Sequence, residues 1–214
     1  FYANVRGLWL VILVVVSALG VAFADVLVEL FAAGFREIPG QFERTVRLTR
    51  WIFPYIFCMG VAALGVAALN TYQRFAVTAF APALLNVAFV VFALVLPDWL
   101  GARGYDPALA LAAAVLVGVV LEVVAQWPSL AKIGFFERPR FDFADPGVRD
   151  VVRRMGPILV GMGVYYLDTL LARRFLSELG VGAQSYFSWA LTLCNFPQGI
   201  FVMALSTAGL PSLA

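Results

Sequence analysis

The stretch that decides the fold is WIFPYIFCMGVAALGVAALNTYQ (Trp51–Gln73), then Arg74, then FAVTAFAPALLNVAFVVFALVLP (Phe75–Pro97). Two uncharged runs of 23 residues flank a single arginine. As a helix rising about 1.5 Å per residue, each reaches roughly 34 Å, enough to cross a hydrocarbon core of about 30 Å. The solvent of this chain is therefore lipid. Helices are required because open sheet edges would strand unpaired backbone groups in hydrocarbon, and neither run shows the two-residue alternation of a barrel strand.

Working outward, the same criteria give six crossings: Leu8 to Ala24, Trp51 to Leu69, Phe75 to Leu96, Ala108 to Gln126, Gly156 to Ala172 and Tyr186 to Leu210. The expected fold class is all-α, a polytopic transmembrane helical bundle. A composition 63% apolar, with mean hydropathy +0.92, exceeds the roughly 45–50% apolar content of soluble domains. Trp9, Trp51, Tyr72, Trp99, Trp127 and Tyr186 stand near span ends and suit an aromatic belt at the headgroups. The first span, with Arg6 before it and Ala22-Phe23-Ala24 after it, resembles a secretory signal. Its 18 uncharged residues and the five crossings that follow favour a true span in a protein cut upstream. The close at Leu210-Pro211-Ser212-Leu213-Ala214 leads us to expect truncation there as well.

A net charge of +2, confined to span ends, gives no footprint for nucleic acid. Cys58 and Cys194 have no metal-ligand spacing, and with no histidine in the chain neither a zinc site nor a histidine acid–base pair is available. The 15 basic residues divide almost evenly between the two membrane faces, but the densest cluster, Lys132 to Arg154, favours its own side as cytoplasmic. That cluster also marks the internal boundary. Residues 1–127 form one lobe with four spans. Residues 128–155 form a cytoplasmic linker carrying an amphipathic helix with Val148, Val151, Val152 and Met155 on one face, and residues 156–214 begin a second lobe. Arg36 to Arg50 is a similar amphipathic lead-in on the opposite side.

Inside the spans, a few polar residues need an account. Asp168, between Leu167 and Thr169, carries a charge that costs about 2.5–3.5 kcal/mol at a helix centre on insertion scales, so it should meet a cavity, a cation or a basic partner. A structural pairing is the competing reading. Glu122 and Gln126 share a helix face near a span end, where reaching water is easy. Pro54, Pro82 and Pro197 interrupt spans, and each frees a carbonyl that lipid penalises unless the site is packed or wet. Polar neighbours surround two of them: Asn70, Thr71, Gln73 and Arg74 lead into Thr78, Pro82 and Asn86, while Thr192, Asn195 and Gln198 accompany Pro197. Interrupted helices with polar groups at depth are a transporter trait, although sealed kinks give the same pattern.

Phe53-Pro54-Tyr55-Ile56, Leu69-Asn70-Thr71-Tyr72-Gln73-Arg74-Phe75, Ala79-Phe80-Ala81-Pro82-Ala83-Leu84-Leu85-Asn86, Met155-Gly156-Pro157, Phe196-Pro197-Gln198-Gly199 and Leu210-Pro211-Ser212-Leu213 form an ordered set. In that order they resemble the MurJ (MviN) lipid II flippase family. The resemblance implies helices three to eight of a fourteen-helix, two-lobed exporter of the MOP superfamily, in the bacterial inner membrane. It further implies that lipid II, an undecaprenyl-linked precursor, is flipped by alternating access, with no cofactor, sodium or proton as coupling ion, membrane lipids as neighbours and a monomeric state. The cavity residues it suggests are Asn70, Arg74, Asn86, Thr192, Asn195 and Gln198, with Asp168 and Thr169 as part of a cation site. The family's usual eighth-helix arginine is replaced by Thr192. Other readings stay open at this point: another lipid-linked oligosaccharide exporter, a cation-coupled antiporter, a non-transporting scaffold, or a polyprenyl-phosphate enzyme.

Overall fold

The structure, a computed structural model, describes residues 2–135, 146–180 and 182–197. Among these residues every regular element is helical: α1 (Tyr2–Ala22), α2 (Ala24–Ala32), a 3-10 turn (Ala33–Glu37), α3 (Gln41–Ile52), α4 (Pro54–Thr71), α5 (Phe75–Gly101), α6 (Leu109–Lys132), α7 (Pro146–Leu176) and α8 (Ala183–Pro197). Five helical stretches are long and apolar enough to cross a membrane: Ala3–Ala22, Gln41–Thr71, Phe75–Gly101, Leu109–Lys132 and Pro146–Leu176. They correspond to the first five expected crossings. Of the sixth, α8 supplies the first part, and residues 198–214 lie outside the described residues. The protein is an all-α polytopic membrane bundle.

Helix α6 is the hub, packed against α5 and α4, while α1 lies against α4 on its other side. Lipid offers little hydrophobic drive between helices, so contact depends on close van der Waals approach at small residues. Gly118 brings α6 against Leu85 of α5, where an added Cβ would stand 2.9 Å from the Leu85 Cα. Gly65 of α4 admits the Gln126 side chain of α6, and Gly60 admits Leu13 of α1. Ala68, Leu69, Leu130 and Phe135 close this core at the end where α4 and α6 finish. The Arg6 guanidinium sits 5.3 Å from the centre of the Phe135 ring, a cation–π contact. Outward-facing residues such as Val14, Phe80, Val90 and Leu94 are more than half exposed, as lipid contact demands.

Four details differ from the sequence reading. The first span starts at Tyr2 and ends at Ala22, and Ala22-Phe23-Ala24 is a break between two helices, after which Ala24 packs fully buried with Val28 and Val46. Trp9 is not an interfacial anchor, because its indole N–H donates to the Gly60 carbonyl at 3.0 Å. Glu122 and Gln126 do not reach water: both are buried on the stripe of α6 that faces α4, since Gly65 leaves room for a long side chain there. The polar stretch 128–155 is helical at both ends. Helix α6 runs on through Pro128 to Lys132, and the amphipathic segment from Pro146 continues through Pro157 into the fifth span as one helix of 31 residues.

On the face where α4 begins, α3 is tied to the loop between α5 and α6. Arg44 donates twice to Asp106, at 2.5 and 2.7 Å, and Asp106 also accepts the Ala108 N–H at 2.9 Å. The Arg44 hydrogen bond, aided by the Ala108 N–H and the nearby Arg44 and Arg47 charges, holds the Asp106 carboxyl below its ordinary value. A carboxyl whose pKa is lowered on folding stabilises the fold above its unfolded pKa, and that gain fades as pH falls through the folded value. Asp106→Asn should therefore lower the melting temperature modestly and evenly from neutral pH to mild acid. The gap from the parent should close below about pH 4. A gap unchanged at pH 3 would show that the tie is not electrostatic.

Candidate functional site

The polar corner between α4 and α5 forms because α4 ends in a left-handed residue. Gln73 has φ +56°, its N–H donates to the Asn70 carbonyl at 3.0 Å, and the Arg74 N–H donates to the Leu69 carbonyl at 2.9 Å. This is a Schellman-type close, usually made by glycine. A glutamine there costs about 1–2 kcal/mol of backbone strain. The corner brings Asn70 and Thr78 together: the Thr78 hydroxyl donates to the Asn70 side-chain oxygen at 3.0 Å. Arg74 is exposed at the N-cap of α5. Asn86 is exposed as well, but stands 12 residues further along α5, about 18 Å of helix rise from Arg74.

The second group lies apart. On α8, Thr192 and Asn195 fall three residues apart on one exposed face, and the Thr192 hydroxyl is spent on the Ser188 carbonyl at 2.8 Å. Gln198 lies outside the described residues. Helix α8 packs against α7. The candidate residues thus form two sets, Asn70, Arg74 and Asn86 on α4, its corner and α5, and Thr192 with Asn195 on α8, which the structure does not bring into contact. Of the three prolines, Pro54 is the first residue of α4, Pro82 sits within a continuous α5, and Pro197 is helical at the edge of the described residues. At a helix start a proline loses no internal hydrogen bond, whereas Pro82 leaves the Thr78 carbonyl without its ordinary donor.

Asp168 is exposed on α7 and forms no ion pair or hydrogen bond among the described residues, while the Thr169 hydroxyl donates to the Tyr165 carbonyl at 3.2 Å. No group of three or more acidic, histidine or cysteine side chains that could hold a metal gathers among the described residues. Asp168 and Thr169 here are two adjacent polar residues on one helix.

What sequence reasoning missed is the joint between the end of α7 and the α2 region. From Arg149 to Leu176 no side chain of α7 is buried, and its main partner among the described helices is α2. They meet where α7 ends. The Gly34 N–H donates to the Ser177 hydroxyl at 3.2 Å, that hydroxyl donates to the Arg174 carbonyl at 2.6 Å, and Arg174 reaches the Glu29 carbonyl at 3.2 Å. Arg173 accepts through its carbonyl from the Gln184 amide at 2.6 Å, which fixes the start of α8 to the same place. The joint links residues about 143 positions apart. No periodicity or motif announces it.

Among the described residues, α7 is held to α2 at this one end. The protein is a multi-pass helical membrane protein. The sequence profile of the family described as Lipid II flippase MurJ matches residues 1–214, and the chain belongs to that family. It is 36% identical over 206 residues to the lipid II flippase MurJ of Burkholderia cenocepacia, covering 94% of this chain and 39% of that protein. Probable lipid II flippases MurJ of Vibrio cholerae (32% identity, 99% of this chain, 41% of the relative) and Haemophilus influenzae (34%, 81% and 33%) are similar too. The chain spans about two-fifths of the length of most of these relatives. Family membership and the spans place it in the bacterial inner membrane.

Proposed function

We propose that the full-length protein moves lipid II, the lipid-linked peptidoglycan precursor, from the cytoplasmic to the outer leaflet by alternating access, as a monomeric carrier and not an enzyme. The observation that carries this reading is the match of the flippase family to the whole chain. A carrier needs two units that touch at one membrane face while the other stays open, and a hinge of a few residues suffices. Gly34, Ser177 and Arg174 supply such a contact on the face opposite the end of α6 and the start of α7, the face we assign as outer. The exposed polar residues Asn70, Arg74, Asn86, Thr192 and Asn195 are then available to line the path of a polar head. The full-length gene should restore growth and peptidoglycan export in cells depleted of their own lipid II flippase. Normal membrane insertion without rescue would refute the assignment.

Within this reading, Asp168 with Thr169 is the contribution of α7 to coupling by sodium or protons. An unpaired carboxylate within a span persists only beside water or a cation. Asp168→Asn in the full-length protein should cut flipping by on the order of tenfold, equivalent to ~1.4 kcal/mol, with expression and melting temperature little changed. Flipping at the parent rate would remove Asp168 from the mechanism and leave the flippase assignment intact.

A further inference from the structure

The outer-face end of the first unit holds a cavity of about 450 Å³ between α2 and α3. Its charges are arranged unusually. Arg36 is already committed, paired with Glu29 and stacked over the Phe42 ring at 4.3 Å. The other four charged residues of the lining are Asp25, Glu43, Arg47 and Arg50. All four are exposed, and none forms an ion pair with any described residue. Trp51, 59% exposed, borders the same cavity at the last turn of α3.

Two cations and two anions that face one hollow and leave each other unpaired are matched to a ligand carrying both signs. A purely anionic group would meet two carboxylates there, and a purely cationic one two guanidiniums, each at a repulsive cost. The place limits the ligand further. Span α1 ends at Ala22 and α4 starts at Pro54, so the cavity lies at headgroup level, with an aromatic ring of the kind that settles in that zone. Guanidinium groups bind phosphate oxygens through paired N–H donors, and carboxylates accept from ammonium N–H groups. We propose that this cavity binds the headgroup of a zwitterionic aminophospholipid of the outer leaflet, with its phosphate on Arg47 and Arg50 and its ammonium on Asp25 and Glu43. The site would seat an annular lipid where α2 approaches α7, and it is independent of what the protein transports.

The test is lipid retention by the purified full-length protein, delipidated and then titrated with phosphatidylethanolamine, phosphatidylcholine or phosphatidylglycerol and read by native mass spectrometry. Lipid bound elsewhere is common to all variants, so the quantity read is the difference from the parent protein. Phosphatidylethanolamine should be retained about tenfold more strongly than either other lipid. Asp25→Asn with Glu43→Gln should abolish that preference and bring phosphatidylglycerol level with it. Arg47→Gln with Arg50→Gln should weaken all three lipids. The opposite responses of the two double variants separate loss of the site from loss of the fold, which would weaken every lipid in both. Equal retention of the three lipids by the parent, a preference for phosphatidylglycerol, or the same profile in all three proteins would overturn the proposal. Transport could be normal in every one of those cases.

Discussion

Gly34→Val in the full-length protein is expected to lower the melting temperature sharply and to abolish lipid II flipping. The Cβ of any residue at this position would stand 2.2 Å from the Ser177 carbonyl oxygen, 2.5 Å from its carbon and 2.8 Å from the Glu178 nitrogen. These are backbone atoms, so no rotamer change relieves the clash, and the end of α7 must move away. The Gly34 N–H would then lose the Ser177 hydroxyl, and Arg174 the Glu29 carbonyl. Overpacking costs about 1–3 kcal/mol where neighbours can yield, and a clash with backbone belongs at or above the top of that range. Gly34→Ala introduces the same Cβ with fewer atoms and should fall between parent and valine. Thermal unfolding in detergent and a flipping assay would check this. An unchanged melt and full transport in the valine variant would show that α7 and α2 do not hold this contact in the working protein.

Gly118→Leu should damage the first unit itself. Helices α5 and α6 meet through Gly118, and an added Cβ would lie 2.9 Å from the Leu85 Cα and 3.2 Å from its carbonyl oxygen. Further atoms would force the two helices apart, and Ala114, one turn before Gly118 and fully buried, is already too small to be trimmed to make room. A loss of about 3 kcal/mol or more is expected, with poor membrane insertion or rapid proteolysis in cells. Gly60→Ala is the internal comparison. There the nearest atoms are the side-chain carbons of Leu13, the δ-methyls closest at 2.2 and 2.6 Å, which can rotate away, so the change should be smaller. Equal effects at the two glycines would mean that α5 and α6 are not as closely packed as Leu85 and Gly118 indicate.

The residues named from sequence fared according to how local their signal was. The corner Asn70 to Arg74 was legible because a polar run between two apolar ones must be a turn at the membrane edge. Its left-handed Gln73 and the Thr78 to Asn70 hydrogen bond add detail to a place already marked. Glu122 and Gln126 were misread because their position near a span end suggests access to water. Their fate was set by Gly65 on a different helix. Trp9 was misread in the same way, since aromatic residues near span ends usually anchor in the headgroups, but the Gly60 carbonyl was within reach of its N–H. Pro82 shows the opposite limit: a proline promised an interruption, and α5 passes through it as one helix.

Hydropathy by itself determined that this chain lives in lipid, that it crosses as helices, and roughly where the first five crossings lie, because the cost of an unpaired or charged group in hydrocarbon is paid residue by residue along the chain. Only the tertiary structure decided which faces touch, that α6 sits between α4 and α5, and that α7 is fastened to α2 at one end through Gly34 and Ser177. A helix surrounded by lipid gains nearly as much from hydrocarbon as from a neighbour. Partner choice therefore rests on shape, on where a missing Cβ lets two backbones approach, and shape is not a property of any one segment.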